Sequence, residues 1–324
     1  MDAEAGQRLV RRLASRADVV VSSFRPGSLA KRGLDYESLR GLNEGLVFCS
    51  ITAYGSKGPK KDEPGYDPVL QAETGMMSMT GHPDGPPARL GIGVIDLGTG
   101  MWAAVGIQAA LRNRLETAVG ALVEVSLYET AAWWLSYHVE GYLATGDSPQ
   151  RQGNGTPFVA PYEVFATADG DLMVTAGNDR LFASLCRVLG LPDLPADPVF
   201  ARNADRVANR MTLHELLEDR FKERGAAEWE VLLGTETIPC SRVRSVADLV
   251  NDPQLDALDM LVDIPHPDIP DLRVVDIPLT LNGERATHRF APPRLGEQTT
   301  SILAELGVPT EEIEALVREG VVSC

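Results

Sequence analysis

Residues 64–100 of this 324-residue chain read PGYDPVLQAETGMMSMTGHPDGPPARLGIGVIDLGTG. The apolar residues from Leu90 to Ile95 predict a short strand, Asp96 follows it, and the apolar run from Met101 to Leu111 predicts a helix. Glycines on both sides of Asp96 would let a ligand approach the backbone closely. Local chemistry leaves two interpretations of Asp96 open. It is either a carboxylate nucleophile for an activated carbonyl or phosphoryl centre or only the N-cap of the helix.

Strand and helix patterns alternate on both sides of this segment. Residues 3–16 predict an amphipathic helix, and residues 18–22 and 45–52 predict buried strands. Another strand is predicted at 122–126, and a long helix at 129–145. This alternation favours an α/β domain with a parallel sheet.

The second half of the chain predicts a smaller α+β unit and an extended connection. A polar, glycine-containing loop at 146–156 comes first. The elements predicted after this loop are a hairpin of 162–167 with 171–176 and helices at 181–189, 213–222 and 227–233. A final helix pair is predicted at 299–306 and 310–320. The chain becomes proline-rich and extended from about residue 265.

Composition narrows the class of protein. With 44% hydrophobic residues, the chain can bury a large core in one or two domains. A net charge of −16 argues against a nucleic-acid partner, which would need clustered cations. The four cysteines have no metal-site or disulfide-framework spacing. We expect no apolar run to reach the length of a membrane span, and we therefore expect a cytoplasmic protein with no membrane partner.

Two small basic clusters stand out in this acidic chain. Arg25, Lys31 and Arg32 form one, and Lys57, Lys60 and Lys61 form the other. Charge patterning alone leaves open whether they are solvated turns or contacts for a polyanionic ligand.

An ordered set of short motifs is the most specific signal. The motifs are Ser23–Gly27, Gly33–Glu37, Ser50–Gly55, Pro64–Asp67, Gln71–Gly75, Thr80–Gly81, Asp96 with Gly100, Ala160–Tyr162, Asp169–Gly170, Ile238–Cys240 and Pro293–Glu297. In order and spacing they resemble the family III CoA-transferases, the group of formyl-CoA transferase and carnitine CoA-transferase. The resemblance extends over nearly all of the chain.

The resemblance implies a fold and an assembly. Residues 1–145 would be the first part of a large, Rossmann-like parallel-sheet domain, truncated at its N-terminus relative to the family. Residues 156–262 would be the small α+β domain, and 263–324 a linker and the C-terminal part of the large domain. Two subunits would interlock as a homodimer. A misassigned start, a truncated gene and a second chain that supplies the missing part remain open.

The resemblance also implies a reaction without a metal. Asp96 would attack an acyl-CoA thioester to form a mixed anhydride, then an aspartyl-CoA thioester, and CoA would pass to a carboxylic acid. The residues expected to bind CoA are Ser23, Phe24, Arg25, Lys31, Tyr66 and Asp67. Where the family often has Asn this chain has Ser23, and the loop Gly153–Gly155 would be either a lid over the acyl group or a plain linker.

Two alternatives remain beside the transferase. A 2-methylacyl-CoA racemase would use an acid/base pair at the α-carbon, but Tyr66 stands where the racemases typically have His, and tyrosine is a poor proton acceptor at neutral pH. The other alternative is an inactive fragment, or a subunit that needs the missing N-terminal segment.

Overall fold

The computed structural model describes residues 3–324. The helices are α1 Glu4–Ala14, α2 Tyr36–Arg40, α3 Asp67–Glu73, α4 Met76–Met79, α5 Val94–Thr117, α6 Leu127–Trp134, α7 Ser136–Thr145, α8 Asp179–Val188, α9 Asn203–Ala208, α10 Arg210–Phe221, α11 Ala226–Thr235, α12 Val246–Val250, α13 Pro253–Ala257, α14 Thr299–Glu305 and α15 Thr310–Arg318. The strands are β1 Val19–Ser22, β2 Val47–Thr52, β3 Leu122–Ser126, β4 Tyr162–Ala166, β5 Asp171–Thr175, β6 Cys240–Arg242, β7 Leu261–Asp263 and β8 Arg273–Val275.

A parallel three-stranded sheet organises the first half of the chain, as the sequence predicted. Its order is β1-β2-β3, with Val21 paired to Cys49 and Cys49 paired to Val123. Helix α5 packs against β2, β3 and α6. Because the strands are parallel, the carboxyl ends of all three lie at the same edge of the sheet.

The strand predicted at 90–95 was wrong, and α5 begins seven residues before the predicted helix. Leu90 and Ile92 are exposed, so their alternation does not mark a buried strand face. Asp96 is the third residue of α5 and not its N-cap, which is Gly93. The expectation that no run reaches membrane-spanning length was also wrong: α5 is long and apolar enough by length and composition alone. Its packing on β2, β3 and α6 fits a helix of an α/β fold.

The long helix predicted at 129–145 is two helices. α6 ends at Trp134 and α7 begins at Ser136, with the buried Leu135 between them. At the start of α6, Ser126 accepts a hydrogen bond from the Glu129 amide, so the helix is capped by the last residue of β3.

The middle of the chain contains an antiparallel sheet in the order β4-β5-β6. The predicted hairpin is confirmed, whereas β6 was not predicted. Arg206 of α9 is fully buried. Its guanidinium donates to the carbonyls of Ala160, Phe200 and Gly177 and pairs with Asp179 at 2.9 Å.

The last helices pack against the first one. Leu9 of α1 shares a core with Leu303, Val308, Ile313 and Leu316. Arg12 of α1 and Arg16, two residues after α1, donate to the carbonyls of Leu306 and Glu305 at the end of α14. These carbonyls have no partner inside α14, so the two arginines cap that helix. Between α13 and α14 the chain is extended, apart from the β7–β8 hairpin.

Candidate active site

Asp67 anchors the helix that carries Asp96. Its side chain is buried, with 3% exposure, and one carboxylate oxygen accepts from the Ile95 amide at 2.7 Å and the Asp96 amide at 3.2 Å. The other oxygen accepts from Gln71 Nε2 at 2.6 Å. The first amides of a helix lack intrahelical partners and favour negative charge. Asp67 therefore caps α5 from outside and ties it to α3.

Gln71 extends this anchor to the segment before α5. Its side-chain oxygen accepts from the Leu90 amide at 2.9 Å, while its nitrogen donates to Asp67. One fully buried amide thus fixes both the approach to α5 and its cap. The sequence analysis quoted Gln71 within a motif but assigned it no role.

The Asp96 carboxylate is exposed beside this anchor. Although the residue is exposed, partial desolvation of its carboxylate and the negative charge of nearby Asp67 raise the pKa of Asp96 above its usual value. A raised pKa means that the surroundings stabilise the carboxylate ion less than water does. A less stabilised carboxylate is a better nucleophile.

A cleft of about 350 Å³ brings most of the predicted site residues together. It is lined by residues 23–26 after β1, 51–53 at the end of β2, Leu127 after β3, residues 63–66 and Asp96. Ser23, Phe24, Arg25, Tyr66 and Asp96 therefore face one space. Ligands of open parallel sheets bind at this edge, outside the carboxyl ends of the strands.

Gly65 allows the 63–66 segment to lie close to the sheet. A Cβ at this position would lie 2.8 Å from Ala53 Cβ and 2.7 Å from Leu70 Cδ2, so only glycine fits. The neighbouring Tyr66 is 76% exposed. Its ring is thus available at the mouth of the cleft.

Two predicted residues do not line the cleft. Lys31 is exposed in a short 3₁₀ helix, Ala30–Arg32, beyond the turn that holds Arg25. Asp67 uses its carboxylate on Gln71 and on the amides of α5. The predicted contacts of both residues with CoA stay predictions.

The second basic cluster is partly neutralised. Lys60 is paired with Glu73, which also accepts from the Tyr54 hydroxyl at 2.7 Å. The hydrogen bond to Glu73 raises the pKa of Lys60. This pairing fastens the loop before Glu63 to α3, so that loop borders the cleft in a fixed position.

The Gly153–Gly155 loop docks on the segment that precedes α5. The Gly153 amide donates to the Gly81 carbonyl at 3.0 Å, and Arg151 donates to the carbonyls of His82 and Pro83. The loop is therefore attached to the 81–83 turn.

A larger cleft of about 510 Å³ lies beside β5 and β6 in the middle of the chain. Its arginines are already paired, Arg242 with Glu230 and Arg244 with Asp252. It contains none of the predicted site residues. In residues 3–324, no group of three His, Cys, Asp or Glu side chains is arranged to hold a metal ion.

The chain is similar to known CoA-transferases over most of its length. Residues 1–299 match the model of CoA-transferase family III. The succinate–glutarate CoA-transferase of Agrobacterium fabrum is 36% identical over 301 residues, which cover 93% of this chain and 75% of the relative. The acetyl-CoA:oxalate CoA-transferase of Acetobacter aceti is 34% identical over 94% of this chain and 78% of the relative.

A solved structure shows the same fold. The crystal structure of a CAIB/BAIF family protein from Brucella suis superposes with a TM-score of 0.83 at 37% identity, covering 94% of this chain and 79% of that one. The fold, the family match and the close relatives lead to one assignment. The chain belongs to CoA-transferase family III, whose members are enzymes that transfer CoA between acids.

Proposed function

We propose that this enzyme moves CoA from an acyl-CoA thioester to a carboxylic acid through covalent intermediates on Asp96. The observation that carries the proposal is the exposed Asp96 carboxylate, with its raised pKa, in a cleft with Arg25 and Tyr66 at the carboxyl ends of three parallel strands. That placement gives one carboxylate access to a bound thioester.

The proposed chemistry begins with attack of an Asp96 oxygen on the donor's thioester carbonyl. The C–S bond breaks, CoA leaves as a thiolate, and a mixed anhydride remains. The thiolate then attacks the Asp96 carbonyl carbon, which releases the donor acid and forms an aspartyl-CoA thioester. The acceptor carboxylate attacks that carbon and releases the thiolate, which finally attacks the acceptor's carbonyl. Acceptor-CoA leaves, and the Asp96 carboxylate is regenerated without net uptake of a proton.

CoA would lie along the cleft with its phosphates toward Arg25 and Lys31. Arg25 is a cation in the turn after β1 and Lys31 a cation in the 3₁₀ helix beyond it, and charge-assisted hydrogen bonds to phosphate are stronger than neutral ones. Ser23, Phe24 and Tyr66 would contact the pantetheine arm. For Asp67 we propose a positioning role, because its oxygens are bonded to α5 and Gln71.

The proposed CoA acceptor is a dicarboxylic acid, and the proposed donors include acetyl-CoA, for which one of the relatives is named. The relatives described above are named for succinate with glutarate and for oxalate, each of which carries two carboxylates. We therefore propose short dicarboxylic acids as the first substrates to assay.

We also propose that the enzyme is a homodimer. Large apolar side chains are exposed along α5, α6 and α7, among them Val105, Trp133, Tyr137 and Leu143. An exposed apolar surface of this kind marks a contact with another molecule. A second copy of the chain is the occupant that the resemblance implies.

Oxygen transfer tests the nucleophile directly. An acceptor acid labelled with ¹⁸O should leave one labelled oxygen on Asp96 at each turnover, because the bridging oxygen of the second anhydride comes from the acceptor. The tryptic peptide of residues 90–112 contains Asp96 as its only side-chain carboxylate. Mass spectrometry of that peptide should show the label only when donor and acceptor are both present.

The matched control is Asp96→Asn, freshly purified, which should neither turn over nor acquire label. Turnover by the wild type with an unlabelled 90–112 peptide would contradict the covalent role of Asp96.

A further inference from the structure

The glycines of α5 differ in their reasons for being glycine. A Cβ at Gly98 would lie 2.7 Å from Trp134 Cζ2, and a Cβ at Gly106 would lie 2.6 Å from Val123 Cγ1. Packing therefore requires glycine at both positions. At Gly100, apart from the adjoining backbone of α5 and the two neighbouring residues, no atom of residues 3–324 lies within 4 Å of the place a Cβ would take, and the residue is exposed.

Glycine in the middle of a helix lowers helix stability relative to alanine. Packing within the described residues gives no reason for this loss at Gly100. The absent side chain therefore leaves room for something that approaches α5 from outside.

Gly100 lies four residues after Asp96, on the same side of the helix. Tyr66 and Asp67 lie at the N-terminal end of α5, whereas Gly100 lies one turn further from that end. A thioester held at Asp96 with its CoA arm in the Tyr66 cleft must direct its acyl group away from that cleft. The exposed face of α5 over Gly100 is open to it.

Two apolar side chains lie beside this open position. Leu97 is 62% exposed and Met101 is 66% exposed. They are four residues apart, so they lie next to each other along one side of the Gly100 position on the helix surface. Methylene groups of an acyl chain would contact these side chains while the helix backbone at Gly100 lies beneath them.

We propose that Gly100 is the floor of the acyl subsite, with Leu97 and Met101 along one side of it, and that it limits the size of the acyl group. The inference rests on the proposed role of Asp96. A side chain at position 100 would occupy the space of the acyl group and leave the CoA cleft unchanged.

Gly100→Ala and Gly100→Leu test the subsite with acetyl-CoA, succinyl-CoA and glutaryl-CoA as donors. We expect Gly100→Leu to lower kcat/KM about tenfold or more for the two longer donors relative to acetyl-CoA, with a smaller effect for Gly100→Ala. Affinity for free CoA, measured by calorimetry, should be unchanged. Both variants should raise the melting temperature, because each removes a helical glycine.

The matched controls are Gly234→Ala and Gly234→Leu in α11. Gly234 is also an exposed helical glycine, and apart from its own helix backbone and its two neighbours no atom of the described residues lies within 4 Å of its Cβ position. Its variants should raise the melting temperature and leave the preference among the three donors unchanged.

Two results would overturn the inference. One is an equal loss for all three donors. The other is a lower molecular mass of the Gly100 variants in light scattering, which would assign Gly100 to a contact between copies. Asp96→Asn separates the inference from the proposed function, because a fully active Asp96→Asn enzyme would defeat the proposed function itself. An inactive Asp96→Asn with equal losses at Gly100 would defeat only the acyl subsite.

Discussion

Asp67 and Asp96 lie at the same end of α5, and their surroundings give them different tasks. Asp67 is buried and accepts hydrogen bonds from two backbone amides and from Gln71, so it fixes the start of α5. Asp96 faces the cleft, and the negative charge of Asp67 contributes to the raised pKa of Asp96. One carboxylate thus holds the helix and also makes the other more basic.

Asp67→Asn should change the pH dependence of the reaction. Removing the negative charge lowers the pKa of Asp96 toward its usual value, so the acidic limb of the kcat/KM profile should move to lower pH. The weaker bonds to Ile95 and Asp96 should also reduce kcat, by about tenfold, because helix and nucleophile are less firmly placed. Rates across the acidic range check both effects.

Glu63→Gln is the control for that prediction. Glu63 is a carboxylate on the same cleft that is not a cause of the pKa shift of Asp96. Its profile should coincide with that of the wild type. An Asp67→Asn profile with an unmoved acidic limb would show that the charge of Asp67 does not act on Asp96.

The role of Asp67 could not be predicted from the sequence, whereas the place of Asp96 could. Asp96, Tyr66 and Arg25 belong to motifs that lie at strand or helix ends, and such ends meet at one edge of a parallel sheet. Asp67 caps amides that lie 28 and 29 residues further along the chain. Local capping rules consider only residues adjacent to the helix.

At the scale of elements, the start of α5 shows where periodicity misleads. Leu90, Ile92 and Val94 alternate with glycines, which predicts a strand. The same residues form the approach to a helix, because the buried side chains of Asp67 and Gln71 fix that approach. The strands β1, β2 and β3 were predictable because their apolar, β-branched residues are local signals of a buried strand.

A histidine clamp joins β4 to α10. His214 Nδ1 lies 3.0 Å from Glu163 Oε2, and Nε2 lies 3.2 Å from Glu218 Oε2. The imidazole stacks on Phe165 at 5.0 Å between ring centroids. The hydrogen bond to Glu163 and the charges of both glutamates raise the pKa of His214, against the opposing effect of burial.

This clamp should make stability fall as pH rises. A raised folded-state pKa stabilises the fold fully below the unfolded pKa of about 6.5, and the gain is lost as pH rises through the folded pKa. Urea unfolding of the wild type and His214→Gln should therefore show their largest difference in free energy below about pH 6.5. The difference should shrink in more alkaline buffer.

Glu163→Gln should reproduce part of that change, because it removes the largest cause of the shift. Glu236→Gln, which removes the exposed partner of Arg187, is the control and should leave the pH dependence unaltered. A constant difference between wild type and His214→Gln at every pH would contradict the clamp.

At the scale of the whole molecule, the exposed apolar surface of α5 to α7 predicts assembly. Light scattering at micromolar concentration should report twice the 35.0 kDa mass of the chain. Leu143→Asp should shift the enzyme toward monomer, since Leu143 is 77% exposed and a carboxylate there would be desolvated in an interface.

Val231→Asp is the control for this substitution. Val231 is an exposed apolar residue of α11, away from α5 to α7, and its variant should keep the mass of the wild type. A monomeric wild type would contradict the dimer, and a dimeric Leu143→Asp would place the contact elsewhere.

The arginine caps between α1 and α14 have a consequence for synthesis on the ribosome. Arg12 and its acceptor, the Leu306 carbonyl, are 294 residues apart, and Leu9 shares its core with residues of α14 and α15. The nascent chain therefore leaves Leu9 without these partners throughout almost all of translation, whereas Val10 and Ala14 of α1 pack on the early residues Leu34, Leu39, Leu46 and Phe48. Only the emergence of α14 and α15 from the exit tunnel can complete the core around Leu9, so this core forms after the β4-β5-β6 sheet has had time to fold. A chaperone that binds nascent apolar side chains would have the Leu9 side of α1 as a long-lived target.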